Sequence, residues 1–431
     1  MEFQDIEHHF GNKNRKQIIP KVTLLAIFAI FIFSITVLSY PSFDCSSLLK
    51  INLKINNPKQ SSSSAYEPVS LPSASIKKCD IFKGEWIPNP NAPYYTNRTC
   101  RVIHEHQNCM KYGRPDTEFM KWRWKPSACE LPIFNPFQFL EIVRGKSMAF
   151  VGDSVGRNHM QSMICLLSSV EQPIDVSYTT DNYFMRWKFA SYNFTMANFW
   201  TPHLVRAEHE DPNGPSHSGH FNLHLDEFDE KWTTQIEEFD YIILNGGHWF
   251  FGPMVFYENQ KIVGCHQCML ENVTDLTFYY GYRRAFRTAF RAINSLENFK
   301  GVTFIRTFSP PHYENGFWNQ GGNCVRTKPF RSSEAQLEDI FMKLYMIQLE
   351  EFKIARNKGL KFRLFDTTQA MLLRPDGHPS RYGHWPHENV TMYNDCVHWC
   401  LPGPIDTWSD FLLEMLKMEA VNSTTEVERF N

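Results

Sequence analysis

The residues VGDSVGRN, 151–158, place a serine where it could act as a nucleophile. A strand-like hydrophobic run ends at Gly152, and a helix-like segment follows Ser154. A serine at such a turn raises its hydroxyl above the end of a sheet, and the helix behind it offers backbone N–H groups and a positive dipole end to an oxyanion. Gly152 allows the turn without a Cβ clash. The alternative is that Ser154 only caps the helix, as serine often does.

A serine hydroxyl is a poor nucleophile unless a base lies within hydrogen-bonding distance. The C-terminal segment NDCVHWCLPGPIDTW contains Asp395 and His398, which lie on one face if the segment makes a helical turn. The predicted roles are Ser154 as nucleophile, His398 as general base, and Asp395 as the group that orients and stabilises the imidazolium. A purely structural role for His398 is the alternative, because D-x-x-H recurs by chance in a chain with 17 histidines.

The elements that must position these residues follow from hydrophobic periodicity. Short β-branched and aromatic runs predict strands at 147–151, 241–245, 302–307 and 362–366. Apolar residues at helical spacing predict helices at 155–167, 280–297 and 332–358, the last opened by SSEAQ. Strands separated by helices indicate an α/β fold, a parallel sheet flanked by helices, whose ligand crevice lies beyond the C-terminal strand ends. Ser154 and the loops after Asn245 and Thr307 are expected to meet there.

The N-terminal region indicates the cellular compartment. Residues 22–40 carry no charge over 19 positions, long enough for one membrane-spanning helix, and basic residues precede them, which places the N-terminus in the cytoplasm. A cleaved signal peptide is the alternative. The chain is thereby divided into a cytoplasmic tail (1–21), a transmembrane anchor (22–40), a flexible Ser- and Pro-rich stem (41–77), a Cys- and Trp-rich subdomain (78–133) and a catalytic α/β domain (134–431).

Cysteines and glycosylation sequons agree with a lumenal location for the residues after the anchor. The chain has 11 cysteines, a number that an oxidising compartment would convert into disulfides. Sequons follow the anchor at Asn97, Asn193, Asn272, Asn389 and Asn422. We therefore expect a single-pass type II glycoprotein of the Golgi membrane.

Composition excludes one class of partner and favours another. With 44 basic and 46 acidic residues, the chain has no excess positive charge, so nucleic acid is not an expected partner. Aromatic residues make up 15% of the chain and include 11 tryptophans, which suits a protein that stacks on sugar rings. Candidate stacking residues, each of which could equally be a buried core residue, are Trp122, Trp124, Trp249 and Trp385.

Several motifs taken together are more specific than any one alone. GDS after a strand, NGGHW after another strand and DCVHWCLPG near the end occur with GRPDTEFMKWRWKP, RGKSMAFVGDSVGRN and FIRTFSP. This set resembles the plant trichome birefringence-like family, whose PC-esterase domain belongs to the GDSL/SGNH esterase group. The resemblance covers the chain from about residue 79 onward. It implies an SGNH-hydrolase-like fold and a Golgi polysaccharide O-acetyltransferase with a triad of Ser154, His398 and Asp395.

The resemblance also implies a reaction. Ser154 would take an acetyl group from a donor of unspecified identity, and a sugar hydroxyl activated by His398 would then accept it, with no cofactor required. A hemicellulose is the implied acceptor, with xyloglucan preferred over xylan or mannan. A polysaccharide acetyl esterase and a noncatalytic carbohydrate-binding protein are the other classes, and the intact Ser, His and Asp argue against the second.

Besides the triad, the implied reaction needs groups that bind an oxyanion. The Ser154 backbone N–H is the first candidate, and Gly247, Asn245 and Arg157 are the others. His248 stands where the common SGNH pattern has Asn. Arg306 is a candidate substrate-binding residue at a strand end, together with His312, Trp318 and Asn323.

The cysteines near the triad are expected to hold its loop in place. The resemblance implies the pairs Cys79–Cys129, Cys100–Cys165, Cys109–Cys396 and Cys324–Cys400. Cys265 and Cys268 could be half of a zinc site, but without a second pair either a local disulfide or no disulfide between them is favoured, and no metal is expected. Cys45 remains unpaired in this scheme.

Overall fold

The computed structural model describes residues 79–181, 183–210, 219–268, 270–356, 360–386 and 393–430, and the structural statements below concern these residues. The predicted tail, anchor and stem, Cys45 and the sequon at Asn389 lie outside them. No helix in the described part of the chain is long and apolar enough to cross a membrane.

A seven-stranded sheet positions the site. Its strands in spatial order are β13 (Lys361–Phe365), β12 (Val302–Arg306), β9 (Tyr241–Leu244), β3 (Ser147–Gly152), β6 (Phe194–Trp200), β5 (Arg186–Phe189) and β4 (Ile174–Asp175). The first five are parallel, whereas β5 and β4 pair antiparallel at one edge. The sheet is therefore mixed rather than wholly parallel, because a single 3-10 turn, Ala190–Tyr192, reverses the chain between β5 and β6.

Two smaller sheets accompany the seven-stranded one and were not predicted from periodicity. A four-stranded sheet has the order β11 (Lys261–His266), β10 (Met254–Glu258), β8 (Phe221–Phe228) and β7 (Val205–His209). In the Cys- and Trp-rich segment, β1 (Gly84–Pro88) pairs antiparallel with β2 (Trp122–Pro126).

The α-helices lie between these strands and after them. They are α1 (Pro136–Ile142), α2 (Ser154–Leu167), α3 (Glu230–Thr233), α4 (Thr277–Asn294), α5 (Asp339–Arg356), α6 (Thr368–Leu372) and α7 (Thr407–Phe430). The helix predicted from residue 332 begins only at Asp339. Glu334 instead closes a turn on Arg331, through a 2.7 Å bond from the Arg331 N–H to its carboxylate, so SSEAQ does not open the helix.

The core lies on both faces of the central sheet, as expected for a sheet flanked by helices. Side chains alternate along β3: Met148 and Phe150 join one buried cluster, while Ala149 and Val151 join the other. The first cluster also contains residues of α1, α2 and α7, and the second contains residues of α4 and α5. Because buried clusters cover both faces of this sheet, the C-terminal ends of its strands are where a ligand is expected.

The Cys- and Trp-rich segment packs into the first cluster rather than forming a separate core. Trp86 and Trp124 belong to that cluster, and the Trp86 indole donates a 2.8 Å hydrogen bond to the Ala370 carbonyl. Two of the expected disulfides, Cys79–Cys129 and Cys100–Cys165, are present, and the second ties this segment to α2.

The disulfides near the C-terminal loop differ from those that the resemblance implied. The structure pairs Cys109 with Cys400 and Cys324 with Cys396, so the expected pairs Cys109–Cys396 and Cys324–Cys400 were wrong. The backbone decides the pairing: the Leu401 N–H bonds the Gln107 carbonyl at 2.8 Å, and the His312 N–H bonds the Cys396 carbonyl at 3.1 Å. Cys265 and Cys268 form a local disulfide, which leaves neither sulfur for zinc.

Candidate active site

The turn before α2 holds Ser154 at the C-terminal end of β3. Gly152 has a φ of +150° and lies so close to Asn245 that a Cβ would be 2.2 Å from the Asn245 carbonyl oxygen, so both conformation and space require glycine. The helix cap is Asp153, whose carboxylate accepts a 3.1 Å hydrogen bond from the Val155 N–H. Because Asp153 fills the capping role, the Ser154 hydroxyl is left for another partner.

That partner is His398, 244 positions away in the chain. His398 Nε2 lies 2.6 Å from Ser154 Oγ, and His398 Nδ1 lies 2.8 Å from Asp395 Oδ2. An ionised carboxylate only accepts hydrogen bonds, so Nδ1 carries the proton and Nε2 accepts from the serine hydroxyl. The structure thus brings together the three residues that the sequence analysis selected, with the imidazole oriented to take the serine proton.

Asp395 is held as a carboxylate. Burial alone would raise its pKa, but the His398 imidazole and the backbone N–H groups of His398 and Val397 together hold the pKa of Asp395 well below its usual range. The two N–H groups bond Asp395 Oδ1 at 2.9 and 3.0 Å, which leaves Oδ2 for the imidazole. Asp395 can therefore stabilise an imidazolium without accepting its proton.

The loop that carries His398 is attached directly to the helix that carries Ser154. The Asn158 side chain, one turn beyond Ser154, accepts from the Trp399 N–H at 2.8 Å and donates to the Trp399 carbonyl at 3.2 Å. On the other side, His378 Nδ1 donates to the His398 carbonyl at 2.7 Å, and Arg114 bonds the His378 carbonyl at 2.7 Å. These contacts restrain His398 relative to Ser154.

Asn245 supports the nucleophile turn. Its amide nitrogen donates a 2.6 Å hydrogen bond to Asp153 Oδ1, and a Cβ on Gly156 would lie 2.3 Å from its side-chain oxygen. Its amide is thus directed at Asp153 rather than at an oxyanion. Gly247, two residues later, has no space for a side chain, because a Cβ would lie 2.5 Å from the Phe308 ring.

The other predicted binding residues occupy three different environments. Arg157 is on α2 with its guanidinium over the Tyr183 and Trp200 rings, 5.6 and 5.7 Å from their centroids. Arg306 is 3% exposed; it donates to the Val155 carbonyl at 3.1 Å and lies over the Trp408 ring, so it packs inside the protein beneath α2. His248 bonds the Ser309 carbonyl through Nε2 at 3.0 Å.

The candidate stacking and groove residues are dispersed. Trp124 is buried in the core, Trp122 is partly buried against it, and Trp385 is 60% exposed beside Tyr112. His312 bonds His378 at 2.7 Å and the Leu372 carbonyl at 2.9 Å, and therefore belongs to the support of the His398 loop. Trp249 lies in the turn that follows β9, where its ring meets the Trp200 ring at the end of β6.

Sequence reasoning missed Tyr183, Trp200 and Asn158. Trp200 ends β6, opposite Gly152 in the parallel ladder, but FTMANFW has a weak strand pattern and was not assigned. Asn158 was visible in the motif next to Arg157, and its spacing of four from Ser154 places it one helical turn away. The sequence could not predict that the Asn158 side chain bonds the Trp399 backbone, because the two residues are 241 positions apart.

Sequence comparison agrees with this architecture. The model of PC-Esterase, the GDSL/SGNH-like acyl-esterase family found in Pmr5 and Cas1p, matches residues 131–415. The model of the PMR5 N-terminal domain matches residues 77–130, the Cys- and Trp-rich segment.

Individual relatives are similar over most of their length. The chain is 58% identical over 405 residues to trichome birefringence-like 19 of Arabidopsis thaliana, which covers 93% of this chain and 94% of that protein. It is 60% identical over 348 residues to trichome birefringence-like 20 of the same plant (79% and 72%). It is 44% identical over 344 residues to xyloglucan O-acetyltransferase 4 of Populus trichocarpa (79% and 81%). The chain therefore belongs to the GDSL/SGNH-like PC-Esterase family, among the trichome birefringence-like proteins.

Proposed function

We propose that this protein is a polysaccharide O-acetyltransferase that works through an acetyl-Ser154 intermediate. The observation that carries the proposal is the hydrogen-bonded series from Ser154 Oγ to His398 Nε2, at 2.6 Å, and from His398 Nδ1 to Asp395, at 2.8 Å. The family supports acyl transfer, and relatives named as xyloglucan O-acetyltransferases support a polysaccharide acceptor.

The reaction has two displacements. In the first, Ser154 Oγ attacks the acetyl carbonyl carbon of an ester or thioester donor and passes its proton to His398 Nε2; the C–O or C–S bond of the donor breaks, and its leaving group takes that proton. In the second, a sugar hydroxyl gives its proton to His398 and attacks acetyl-Ser154, and the serine leaves with the proton. Asp395 stabilises the imidazolium in both steps.

Both tetrahedral intermediates need donors for a negative oxygen. The Ser154 N–H belongs to the first turn of α2, where amide groups have no intrahelical acceptor and the helix dipole favours negative charge. The Gly247 N–H and the Arg157 guanidinium are the further donors that we assign. Asn245 is not assigned this role because its amide bonds Asp153, and neither is His248, because its Nε2–H is bonded to Ser309.

Xyloglucan is the acceptor that we favour, because two Populus relatives and one Arabidopsis relative carry that substrate in their names. Xylan and mannan are the competing acceptors for the same machinery. Hydrolysis is the competing reaction, since water that reaches acetyl-Ser154 would release acetate. The uncharged segment 22–40 and the sequons support location in the Golgi membrane with the catalytic domain in the lumen.

The decisive experiment uses the full chain, produced in a secretory host and extracted in mild detergent. It is incubated with an acetyl ester donor and with xyloglucan, xylan or mannan oligosaccharides, and products are followed by mass spectrometry. Ser154→Ala, His398→Ala and Asp395→Ala should each lower transfer by about 10³-fold or more, and their combination should cost little beyond the largest single loss.

Ser162→Ala is the matched control, since Ser162 lies on the same helix but bonds Asp406. It should retain transfer and the acetyl adduct on Ser154. Transfer by Ser154→Ala at the wild-type rate would contradict the acetyl-serine route. Acetate release without any acetylated oligosaccharide would favour the esterase.

A further inference from the structure

Three aromatic side chains lie at the end of the central sheet that carries Ser154, beyond the C-terminal ends of β3, β6 and β9. Trp200 ends β6 opposite Gly152, and the Thr201 N–H donates to the Gly152 carbonyl at 2.9 Å. Trp249 is on the loop that begins at Asn245, which packs against the nucleophile turn. Tyr183 is attached to the same strand end, because its carbonyl accepts from the Trp200 N–H at 3.1 Å. We call Tyr183, Trp200 and Trp249 the aromatic cluster.

The cluster is contiguous and lies close to the nucleophile helix. The Tyr183 and Trp200 rings are 4.9 Å apart at 31°, and the Trp200 and Trp249 rings meet edge to face at 5.5 Å. Arg157, one turn beyond Ser154, places its guanidinium over both Tyr183 and Trp200. The aromatic contacts continue away from Ser154, because the Phe221 ring lies 5.9 Å from the Trp249 ring.

Solvent exposure separates this cluster from the structural tryptophans. Trp124, Trp232, Trp399 and Trp408 are at most 1% exposed. Tyr183, Trp200 and Trp249 are each partly exposed, although full burial of such large apolar side chains would stabilise the fold. Partly exposed aromatic rings held rigidly beside a nucleophile indicate a ligand surface rather than a core.

The chemistry of the surface specifies the ligand. Aromatic rings bind flat partners that present apolar C–H groups, and a guanidinium donates hydrogen bonds to oxygen acceptors at their rim. A sugar ring offers both, an apolar face and a border of hydroxyls. The Trp200 and Trp249 rings lie at 85° to each other with centroids 5.5 Å apart, so the cluster presents two adjacent, differently oriented surfaces to successive sugars.

We propose that the aromatic cluster is the acceptor subsite, which binds at least two successive residues of a neutral glycan chain and directs a hydroxyl at acetyl-Ser154. Arg157, whose guanidinium lies over the Tyr183 and Trp200 rings, fixes their orientation. This inference rests on the proposed acetyl transfer, for which it names the binding residues.

The test measures oligosaccharide binding separately from chemistry. Full-length Ser154→Ala protein, which binds without turnover, is titrated by calorimetry with a xyloglucan heptasaccharide, cellotetraose and cellobiose. Adding Trp200→Ala or Trp249→Ala should raise the Kd for the longer ligands by about tenfold or more, and the preference of the Ser154→Ala protein for longer over shorter ligands should disappear. Trp200→Phe keeps part of the ring surface and should raise Kd by only about two- to fourfold.

Tyr178→Ala is the matched control for Tyr183→Ala. Tyr178 is 89% exposed and contacts Arg186, so its removal should leave Kd unchanged while Tyr183→Ala weakens binding. Thermal denaturation of each variant checks the fold, and Trp200→Phe covers the case in which the alanine variant does not fold.

A parallel measurement separates the acetyl-serine route from the acceptor subsite. The wild-type chain, which retains Ser154, is incubated with a small acetyl ester, and acetylation of Ser154 is followed. Adduct formation combined with oligosaccharide binding that does not depend on the cluster would overturn this inference alone. Cluster-dependent binding without any adduct would support the subsite and overturn the acetyl-serine route. Absence of oligosaccharide binding to the Ser154→Ala protein would also overturn the subsite.

Discussion

At the scale of single residues, the protein divides similar side chains between supporting and reacting roles by what each is already bonded to. The Asn245 amide donates to Asp153, whereas the Asp395 carboxylate keeps one oxygen for His398 after accepting two backbone N–H groups. For His248, burial lowers the pKa to about 4, so it is neutral at the pH where acyl transfer would run. His398 is the imidazole that is hydrogen-bonded to Ser154, at 2.6 Å.

Asp410, near the start of α7, makes the stability of the protein depend on pH. Burial raises its pKa to about 8, and the Asp406 carboxylate acts in the same direction against the Phe134 N–H. Because an unfolded aspartate titrates near 3.9, the folded state holds an extra proton between about pH 4 and 8, and the free energy of unfolding falls as pH rises through that window. The slope contributed by this group is at most about 1.4 kcal/mol per pH unit.

Asp410→Asn should flatten this pH dependence. The asparagine oxygen can still accept from the Phe134 N–H, which Asp410 bonds at 2.8 Å, but the side chain no longer titrates. Urea unfolding at pH 5.5, 7 and 8.5 measures the free energy of unfolding. The value for the variant minus the value for the wild type should increase as pH rises. Asp175→Asn is the control, because Asp175 is exposed and also accepts a backbone N–H, from Ser177. If the free energy of unfolding changed with pH equally in Asp410→Asn and in the wild type, Asp410 would not be the source of the pH dependence.

At the scale of elements, the distance between nucleophile and base depends on how the His398 loop is attached to α2. Asn158 makes both hydrogen bonds that the Trp399 backbone offers, at 2.8 and 3.2 Å, and it is fully buried. A one-turn separation from Ser154 means that one rigid helix carries both the nucleophile and the attachment point of the base. The distance between Ser154 and His398 therefore depends on α2, which carries Ser154 and, through Asn158, holds the loop that carries His398.

Asn158→Ala should therefore impair chemistry more than acceptor binding. Loss of both bonds lets the loop shift, and displacements of about 1 Å in an active site can cost on the order of 10²-fold, so we expect kcat to fall about 10- to 100-fold with a small change in acceptor KM. Gln161→Ala, on the same helix, is the control and should keep the wild-type kcat. An Asn158→Ala protein with lowered melting temperature but unchanged kcat would show that the side chain serves only stability.

At the scale of the whole molecule, the Cys- and Trp-rich segment is part of the machinery that holds the base. Cys109 is bonded to Cys400, two residues after His398, and Arg114 bonds the His378 carbonyl behind the same loop. From the other side, Cys324 is bonded to Cys396, next to Asp395. Segments separated by 291 and 72 positions thus converge on one short loop.

The Cys324→Ala/Cys396→Ala and Cys109→Ala/Cys400→Ala proteins should each lose about 2–4 kcal/mol of stability, because each disulfide closes a long loop in the unfolded chain. Both should also lose kcat, since the loop that carries His398 is released. Cys265→Ala/Cys268→Ala is the matched control, because that disulfide spans 3 positions at β11, and it should retain kcat. Equal loss of kcat in all three double variants would contradict local support of the base.

Much of the scaffold could be predicted from the chain because the signals are local. The four predicted strands agree with β3, β9, β12 and β13 to within one residue, and α2 begins one residue earlier than expected. Local periodicity did not predict β6. Its residues FTMANFW form a strand because they pair with β3 on one side and β5 on the other. Local periodicity failed again at SSEAQ, where Glu334 bonds a backbone N–H outside any helix.

The sequence by itself determined which reactive groups the protein has, the turn that presents Ser154, and the spacing that lets Asp395 hold His398, because each depends on neighbours a few residues away. The tertiary structure alone decided that Ser154 and His398 meet, that the Asn245 amide bonds Asp153, and which cysteines pair. These contacts depend on which distant segments pack against one sheet edge, and many packings satisfy the same local pattern until the core forms around one of them.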